Sequence, residues 1–500
     1  MSKILEQFEQ YLDKMKKYEH INTLLYWDMR TCAPKLGQAG HIDALTYFST
    51  ESFAMSTSDE LYGMLENLKT PEEFAQLSDT MKFIVTRMQR DMEKDRRIPK
   101  ERYEVMVREQ AESGNAWEDA KNASDFSVFA PHLEKMIALT KEMAGYTDPG
   151  KEVYDVLLDK YEEGMDSATI DRLFGELKEA LIPLVKKILA AKQPDDAKFH
   201  AYFDPDDQKK VQDLLLSYIG FSRDAGAVGE TEHPFTLNFS SKDVRVTNHY
   251  YEHDPISAMF SAIHEGGHAI FEQNVNPEYD NTVAGSCRYM GVHESQSRFY
   301  ENILGRNKNF WIPVYEKVQE LMPQMKDISL DEFYREINHV RNSLIRTEAD
   351  EVTYCFHIIL RYEMEKAIFR DNVPVAKLPE LWNQKMKEYL DITPVNDAEG
   401  ILQDMHWSDG SFGYFPSYLL GSIYDGMYLE ELEKELGPVD EILKEGRIKE
   451  ITKWLNEKIH WYGSTRTPKE VIANVCGKEV SAEPLVRYFE KKYASVYDLK

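Results

Sequence analysis

Cysteine is scarce in this sequence, with four residues among 500. Cys32, Cys287, Cys355 and Cys476 lie far apart, and no two of them form a C-x-x-C pair. This pattern excludes a disulfide scaffold and is typical of proteins whose thiols stay reduced. We therefore predict a cytoplasmic protein.

Long hydrophobic runs are also absent. The first segment, MSKILEQFEQYLDKMKKYEH, contains no apolar stretch of the kind that a secretory signal needs. No window reaches the roughly 18 consecutive apolar residues that a membrane span requires. We therefore expect a soluble protein with no membrane partner.

Positive charge is in deficit. The 60 lysine and arginine residues face 87 aspartate and glutamate residues, which gives a formal net charge of −27. The short basic runs, such as residues 94–97, lie among acidic residues. A surface of this sign repels phosphates, so we expect no nucleic-acid partner.

Strand-forming patterns are rare, and helical periodicity dominates. Residues 235–252 are the best strand candidate, because β-branched and aromatic residues are frequent there and valines alternate with polar residues. Helices are predicted over residues 3–25, 80–97, 167–192, 208–219, 297–323, 329–370, 375–392, 427–457, 468–475 and 481–495.

These patterns predict a mostly α-helical protein with one small β-sheet. The chain is long enough to bury a large core without the help of disulfides or metals. It shows no internal repeat and no low-complexity tract. We expect one catalytic unit over residues 1–500, arranged as two lobes around a cleft.

Residues 264–268 read His-Glu-Gly-Gly-His, an H-E-x-x-H motif. Positions i and i+4 share one face of a helix, so His264 and His268 can both present a nitrogen to one zinc ion. Glu265 is rotated by about 100° from His264. It therefore flanks the open side of such a metal, as a metallohydrolase requires.

The flanking sequence predicts the helix that the motif needs. Asp254 is a suitable N-cap, and Pro255 stands at the first helical position. Gly266 and Gly267 weaken the helix by about 1 kcal/mol each relative to alanine, which indicates that another backbone or a substrate approaches them. The motif alone leaves open a second interpretation, in which two surface histidines lie on an amphipathic helix.

A third metal ligand is predicted downstream. Glu294 follows His268 by 26 residues, which leaves room for a loop and a second helix that returns a carboxylate to the metal. Two histidines and one glutamate form a catalytic zinc set whose fourth position is left to water. Spacing alone is equally compatible with an exposed glutamate at this position.

Five short segments occur in the order DVRVT at 243–247, HEGGH at 264–268, HESQ at 293–296, IRTEAD at 345–350 and GILQDMHW at 400–407. Together they resemble the carboxypeptidase Taq family of H-E-x-x-H zinc metallocarboxypeptidases. Two further segments are similar to it as well, YWDMRTCAP at 26–34 and FGYFPSY at 412–418. The resemblance spans about residues 26–420 and shows no departure at a motif position.

The resemblance implies an elongated, mostly helical homodimer with a deep groove, similar in architecture to neurolysin and angiotensin-converting enzyme. It implies His264, His268 and Glu294 as metal ligands and Glu265 as the catalytic acid and base. Zinc is the expected metal, and cobalt can serve in members of this family. The implied reaction releases C-terminal amino acids from peptides by attack of an activated water.

The groove is expected to supply an oxyanion donor and a partner for the substrate's free carboxylate. Tyr418 is the preferred oxyanion donor, with Tyr414 and His406 as alternatives. Arg245 and Arg346 are the expected carboxylate-binding residues, because an arginine fork can bind both oxygens.

Three further interpretations concern the surroundings of these arginines. The strand that carries Arg245 is interpreted as a sheet edge that can pair with an extended peptide. Asp350, one turn after Arg346 on a long helix, is interpreted as its orienting partner. Gln403 and His406 are further candidates for the closed end of the groove.

Two other functions stay open at this point. An oligopeptidase on the same scaffold would cut peptides internally. A non-catalytic helical binding protein would retain the motif only as a structural element, although a structural site needs no glutamate between the histidines.

Overall fold

α-Helices make up most of this computed structural model, which describes residues 2–280, 282–285 and 287–499. The expectation of a mostly helical protein with one small sheet is confirmed. The helices are α1 Lys3–Thr31, α2 Gln38–Ser56, α3 Asp59–Leu68, α4 Pro71–Phe74, α5 Asp79–Asp95, α6 Lys100–Ala123, α7 Phe126–Thr147, α8 Val153–Tyr161, α9 Ser167–Ala190, α10 Pro205–Ile219, α11 Pro255–Gln273, α12 Met290–Arg298, α13 Lys308–Trp311, α14 Tyr315–Leu321, α15 Leu330–Glu336, α16 Thr353–Phe369, α17 Leu378–Leu390, α18 Phe415–Leu436, α19 Val439–Lys444, α20 Ile448–Lys458, α21 Pro468–Cys476 and α22 Glu483–Val496.

The small sheet has three strands, β1 Gly226–Glu230, β2 Thr236–Ser240 and β3 Asp243–Asn248. β3 lies in the centre, parallel to β1 and antiparallel to β2. The strand predicted over residues 235–252 is therefore a β2–β3 hairpin. The interpretation of β3 as a sheet edge is wrong, because β1 and β2 pair with both of its sides.

The helix predicted over residues 329–370 is wrong in its middle. The capping box at Ser329 does begin a helix, but α15 ends at Glu336 and α16 starts at Thr353. Between them the chain is irregular, apart from a 3₁₀ turn at Arg346–Glu348. Periodicity and a capping box mark where a helix begins, but they do not show that it stops after two turns.

The helix predicted over residues 297–323 is also wrong. α12 ends at Arg298 and continues as a π-helix over Phe299–Gly305, and two short helices follow. Single-turn π segments occur mostly inside α-helices and often near functional sites. Within Phe299–Gly305, the wider turns rotate the side chains away from the positions that a continued α-helix would give them.

Buried apolar side chains form two clusters. The smaller one lies within residues 8–92 and joins α1, α3 and α5. The larger one extends from Ala120 to Tyr497 and contains the buried face of α11. The expected cleft between two lobes stays a prediction.

No helix of the described residues is both long and apolar enough to cross a membrane.

Candidate metal centre

The H-E-x-x-H motif lies on α11, as its flanking residues predict. Oδ1 of Asp254 accepts a hydrogen bond from the backbone N–H of Ser257 over 3.1 Å, and Pro255 is the first helical residue. Because of the helical spacing, His264 and His268 have ring centroids 5.0 Å apart. The interpretation as a pair of surface histidines is not supported, since both rings pack among buried residues.

α12 crosses α11 where the motif contains glycine. A Cβ atom at Gly267 would lie 2.7 Å from the carbonyl oxygen of Gln296 and 2.8 Å from Cα of Ser297. On the other side of α12, a Cβ at Gly421 of α18 would lie 3.0 Å from the backbone nitrogen of Ser295. These close approaches hold the backbone around Glu294 against the motif, and at Gly267 the expected approach of another backbone is confirmed.

Replacing Gly267 with alanine is expected to lower the melting temperature more than the same change at Gly266. At Gly267 the new methyl meets backbone, and overpacking of this kind costs about 1–3 kcal/mol. At Gly266 it meets the ends of the Ile219 and Leu216 side chains, which can move. Thermal unfolding of the two variants measures the difference; equal melting temperatures would contradict it.

The two histidines and Glu294 place three donor atoms around one point. Oε2 of Glu294 lies 3.5 Å from Nε2 of His268 and 4.0 Å from Nε2 of His264. All three donor atoms lie within 4.8 Å of one another. Ligands bonded about 2.1 Å from a tetrahedral ion are about 3.4 Å apart, so this set fits a zinc-sized cation.

Two of these side chains are held by a charged neighbour on the side away from the cluster. Nδ1 of His264 lies 2.8 Å from Oε2 of Glu301. Nε of Arg298 donates to Oε1 of Glu294 over 2.6 Å. Although burial disfavours its charge, Arg298 and the histidines hold the pKa of Glu294 well below its usual range.

Sequence reasoning missed Glu301, because its position depends on the π-helix. It lies seven positions after Glu294, and the wider turn over Phe299–Gly305 directs its carboxylate to His264. Arg306 donates to its other oxygen over 3.2 Å. No residue pattern marks a π-helix in advance, so no signal in the sequence identified this contact.

Glu265 is held apart from the three donor atoms. The hydroxyl of Thr236 in β2 donates to Oε2 of Glu265 over 2.6 Å. Burial raises the pKa of Glu265 above its ordinary value, and the charge of His264 opposes that effect. The contact leaves Oε1 of Glu265 free of hydrogen bonds among the described residues.

A second charged cluster surrounds Arg346. Its guanidinium donates to Oδ1 of Asp404 over 2.9 Å and to the hydroxyl of Tyr354 over 2.9 Å. Arg361, fully buried in α16, donates to the other oxygen of Asp404 over 2.6 Å. Two arginines therefore share one carboxylate, which leaves one positive charge without a partner in this cluster.

Asp350 does not orient Arg346, so that interpretation is wrong. Its carboxylate accepts hydrogen bonds from the backbone N–H groups of Arg341, Val352 and Thr353 and from the Thr353 hydroxyl. It stabilises the start of α16. Arg346 and Asp350 are not one helical turn apart, because the chain between them is a 3₁₀ turn and a loop.

Tyr418 and His406 both lie beside Arg346. The Arg346 guanidinium is 5.1 Å from the ring centroid of Tyr418, and Nε2 of His406 is 3.4 Å from the Tyr418 hydroxyl. Burial lowers the pKa of His406 to about 4, so this imidazole is neutral at pH 7. The rings of Tyr414 and Tyr418 are 5.1 Å apart.

The Gln403 side chain forms hydrogen bonds with both arginines of this cluster. Its amide oxygen accepts from the backbone N–H of Arg346 and from Arg361, and its amide nitrogen donates to the carbonyl oxygens of Leu344 and Glu399. The side chain therefore has no free donor or acceptor for a peptide.

Arg245 lies on the other face of the sheet. Side chains alternate along a strand, so Arg245 and its cross-strand partner Leu237 face away from α11. The guanidinium forms two hydrogen bonds with Asp243 and lies 5.5 Å from the ring of Trp27 in α1. The fold does not bring Arg245 into contact with Arg346 or with the three donor atoms among the described residues.

The three converging donor residues and the Arg346 cluster meet at one aromatic ring. Arg298, which binds Glu294, lies 4.2 Å from the ring centroid of Tyr354. The hydroxyl of the same tyrosine accepts from Arg346. The donor set and the unpaired positive charge therefore lie on two sides of a single side chain.

Comparisons with known proteins agree with this arrangement. The model of a family described as Carboxypeptidase Taq (M32) metallopeptidase matches residues 7–493. Carboxypeptidase 1 of Bacillus subtilis is 43% identical over 494 residues, which cover 98% of this chain and 98% of that protein. Thermostable carboxypeptidase 1 of Thermus thermophilus is 36% identical over 488 residues, covering 95% and 96% of the two chains.

A solved structure is similar over almost the whole chain. The crystal structure of an M32 carboxypeptidase from Deinococcus radiodurans superposes with a TM-score of 0.96 at 29% identity, and the match covers 99% of this chain and 100% of that one. The family match over residues 7–493 contains every residue of the two clusters described above.

Proposed function

Because the chain belongs to the carboxypeptidase Taq family and is a metal-dependent carboxypeptidase, we propose that His264, His268 and Glu294 bind its catalytic metal. The observation that carries the proposal is the convergence of their three donor atoms, with His264 and Glu294 each held by a charged neighbour. Zinc is the proposed metal, with cobalt as an alternative, since two histidines and a carboxylate suit it.

Glu265 is the proposed general base and acid. When bound, the metal would supply Lewis-acid polarisation of the scissile carbonyl and a more acidic water. Oε1 of Glu265 is the atom that would accept a proton from the attacking water, while Thr236 holds Oε2. The same carboxyl would then return the proton to the leaving amine.

Mass spectrometry of a peptide mixture over time tests the proposed reaction. A ladder of fragments shortened from the C-terminus is expected with the metal-loaded enzyme and not after chelation. Activity that returns on zinc addition would support the assigned metal. Internal fragments that appear first would instead indicate the oligopeptidase alternative.

Arg346 is the proposed partner of the substrate's C-terminal carboxylate. Asp404 neutralises only one of the two arginines that it contacts, and burial lowers the pKa of His357 to about 3 and that of His406 to about 4, so neither ring adds charge at pH 7. The remaining positive charge matches one carboxylate. Gln403, whose amide is fully bonded, is proposed to position Arg346 rather than to touch the peptide.

Replacing Arg346 with alanine is expected to remove the preference for a free C-terminus. A hydrogen bond to a charged group contributes about 1.5–3 kcal/mol, so wild-type enzyme should cleave amidated peptides roughly 10- to 100-fold more slowly. The variant should show that loss on free-acid peptides and little further loss on amidated ones, because both changes remove the same contact. Comparison of kcat/KM for the peptide pair measures it.

Arg245→Ala is the matched control. Since Arg245 faces α1, this variant should keep the preference for free-acid peptides. If Arg245→Ala removed the preference and Arg346→Ala kept it, the two assignments would be reversed. The sequence-based prediction that both bind the carboxylate would require both variants to lose it.

Tyr418 is the proposed oxyanion donor, supported by its place beside Arg346 and next to the helix face that contacts Glu294. His406 accepts from or donates to the Tyr418 hydroxyl and is proposed to orient it. Tyr414 is the alternative donor.

The remaining proposals concern the whole molecule. Residues 1–500 are proposed to form one catalytic domain, because the family match spans residues 7–493. A homodimer is proposed on the family resemblance, and light scattering would measure it. A cytoplasmic location is supported by the four cysteines, none of which forms a disulfide.

A further inference from the structure

His268 is supported differently from the other two ligand candidates. His264 and Glu294 each contact a charged side chain directly. Nδ1 of His268 lies 2.5 Å from another imidazole nitrogen, Nδ1 of His293. His293 precedes Glu294 in the chain, and the ligand set assigns no task to it.

The carboxylate of Glu272 determines which nitrogen of His293 carries hydrogen. Oε1 of Glu272 lies 2.8 Å from Nε2 of His293, and its other oxygen accepts from the amide of Asn238. A carboxylate offers only acceptors. His293 must therefore donate from Nε2, and in its neutral form Nδ1 is a bare acceptor.

The hydrogen on His293 in turn determines which nitrogen of His268 is protonated. With His293 neutral, its Nδ1 accepts, so Nδ1 of His268 carries the hydrogen that lies between them. Nε2 of His268 then has its lone pair free, and this is the atom that lies 3.5 Å from Oε2 of Glu294. Glu272 in this way selects the tautomer of His268 through one intervening ring.

We propose that His293 is a positioning residue that fixes His268 as the tautomer with a free Nε2, ready to bind the metal. The inference rests on the proposed ligand set. It predicts that the acceptor at Nδ1 of His293, rather than the volume or polarity of the ring, sets the metal affinity.

Two substitutions at position 293 separate these features. The shorter amide in His293→Asn can place its oxygen near the position of Nδ1 and keep the acceptor for His268. The longer amide in His293→Gln reaches the position of Nε2, so it keeps the contact with Glu272 and removes that acceptor. Both variants exchange the ring for a polar amide in the same cavity.

The experiment is titration of zinc-loaded enzyme with a chromophoric chelator. Loss of a partner behind a metal ligand typically weakens affinity 10- to 100-fold. His293→Gln is expected to show that loss, whereas His293→Asn should remain within a few-fold of wild type. Melting temperatures of the metal-free proteins provide a structural readout, and the two variants should agree within a few degrees.

Glu272→Gln repeats the test without changing either imidazole. Since Asn238 donates to one side of this group, the amide oxygen is expected to stay there and the NH₂ to face His293. That arrangement inverts both tautomers and places hydrogen on Nε2 of His268. Zinc affinity should again fall 10- to 100-fold.

Equal zinc affinity in wild type, His293→Gln and Glu272→Gln would overturn the proposal, and so would equal losses in His293→Asn and His293→Gln. His268→Ala distinguishes this failure from an error in the ligand set. If that variant kept its zinc, the proposed metal centre would be wrong, whatever the role of His293.

Discussion

Glu294→Gln is expected to abolish metal binding and peptidase activity together. The amide oxygen can still accept from Arg298, which keeps that buried charge paired, while the NH₂ group replaces Oε2 and has no lone pair for a metal. Zinc affinity should fall by more than the roughly 100-fold that marks the loss of an outer partner. The fold should persist, because a core of this size does not depend on one ion.

Metal content after dialysis, the rate on a free-acid peptide and the melting temperature of the metal-free protein measure these effects. Glu301→Gln is the graded control, since Glu301 supports His264 without facing the cluster. It should lose about 10- to 100-fold in affinity and retain activity at saturating metal. Stoichiometric metal in Glu294→Gln would show that the third ligand lies elsewhere.

Glu265→Gln is expected to separate metal binding from chemistry. The amide oxygen can keep the hydrogen bond from Thr236, which leaves an NH₂ group in place of Oε1. That group cannot accept a proton, and loss of a general base typically costs 10²- to 10⁴-fold in rate. Metal content should stay near that of wild type, because Glu265 is not one of the three converging donors.

The measurement pairs kcat with metal content, and Thr236→Val serves as the matched comparison. Valine preserves the shape of threonine but removes the donor to Oε2, so kcat should fall by less than in Glu265→Gln. Turnover of Glu265→Gln within a few-fold of wild type would exclude Glu265 as the base.

Local signals accounted for the helix that carries the motif. Asp254 and Pro255 mark its start, and the i and i+4 spacing places His264 and His268 on one face. Gly267 indicates that another backbone crosses the helix closely. Each of these features acts within a few residues of the chain. These features can therefore be predicted from a single sequence.

The surroundings of Arg346 show where such reasoning fails. Periodicity indicated a continuous helix and an i, i+4 pair with Asp350, but the orienting carboxylate is Asp404, which lies 58 residues away. A residue's charge partner depends on which loops meet in the folded chain. Only the packing of α16 against the loop that contains Asp404 decides that contact.

The surroundings of Arg245 likewise depend on the folded chain and not on its local sequence. Its motif segment resembled a substrate-binding strand, yet the face that it occupies depends on strand register, and a shift of one residue would turn it to the other side. In the fold, β2 presents Thr236 and Asn238 to α11, whereas Arg245 of β3 faces α1.

By itself, then, the sequence determined a helical, acidic, disulfide-free chain with a zinc-type motif and a family resemblance that the comparisons confirm. Composition, helical spacing and motif order are properties of neighbouring residues, so they require no fold. Only the folded chain shows which groups support the proposed ligands, namely Glu301 beside His264 through a π-helix and Glu272 beside His268 through His293. These contacts join distant segments of the chain, and their geometry exists only once the core has packed.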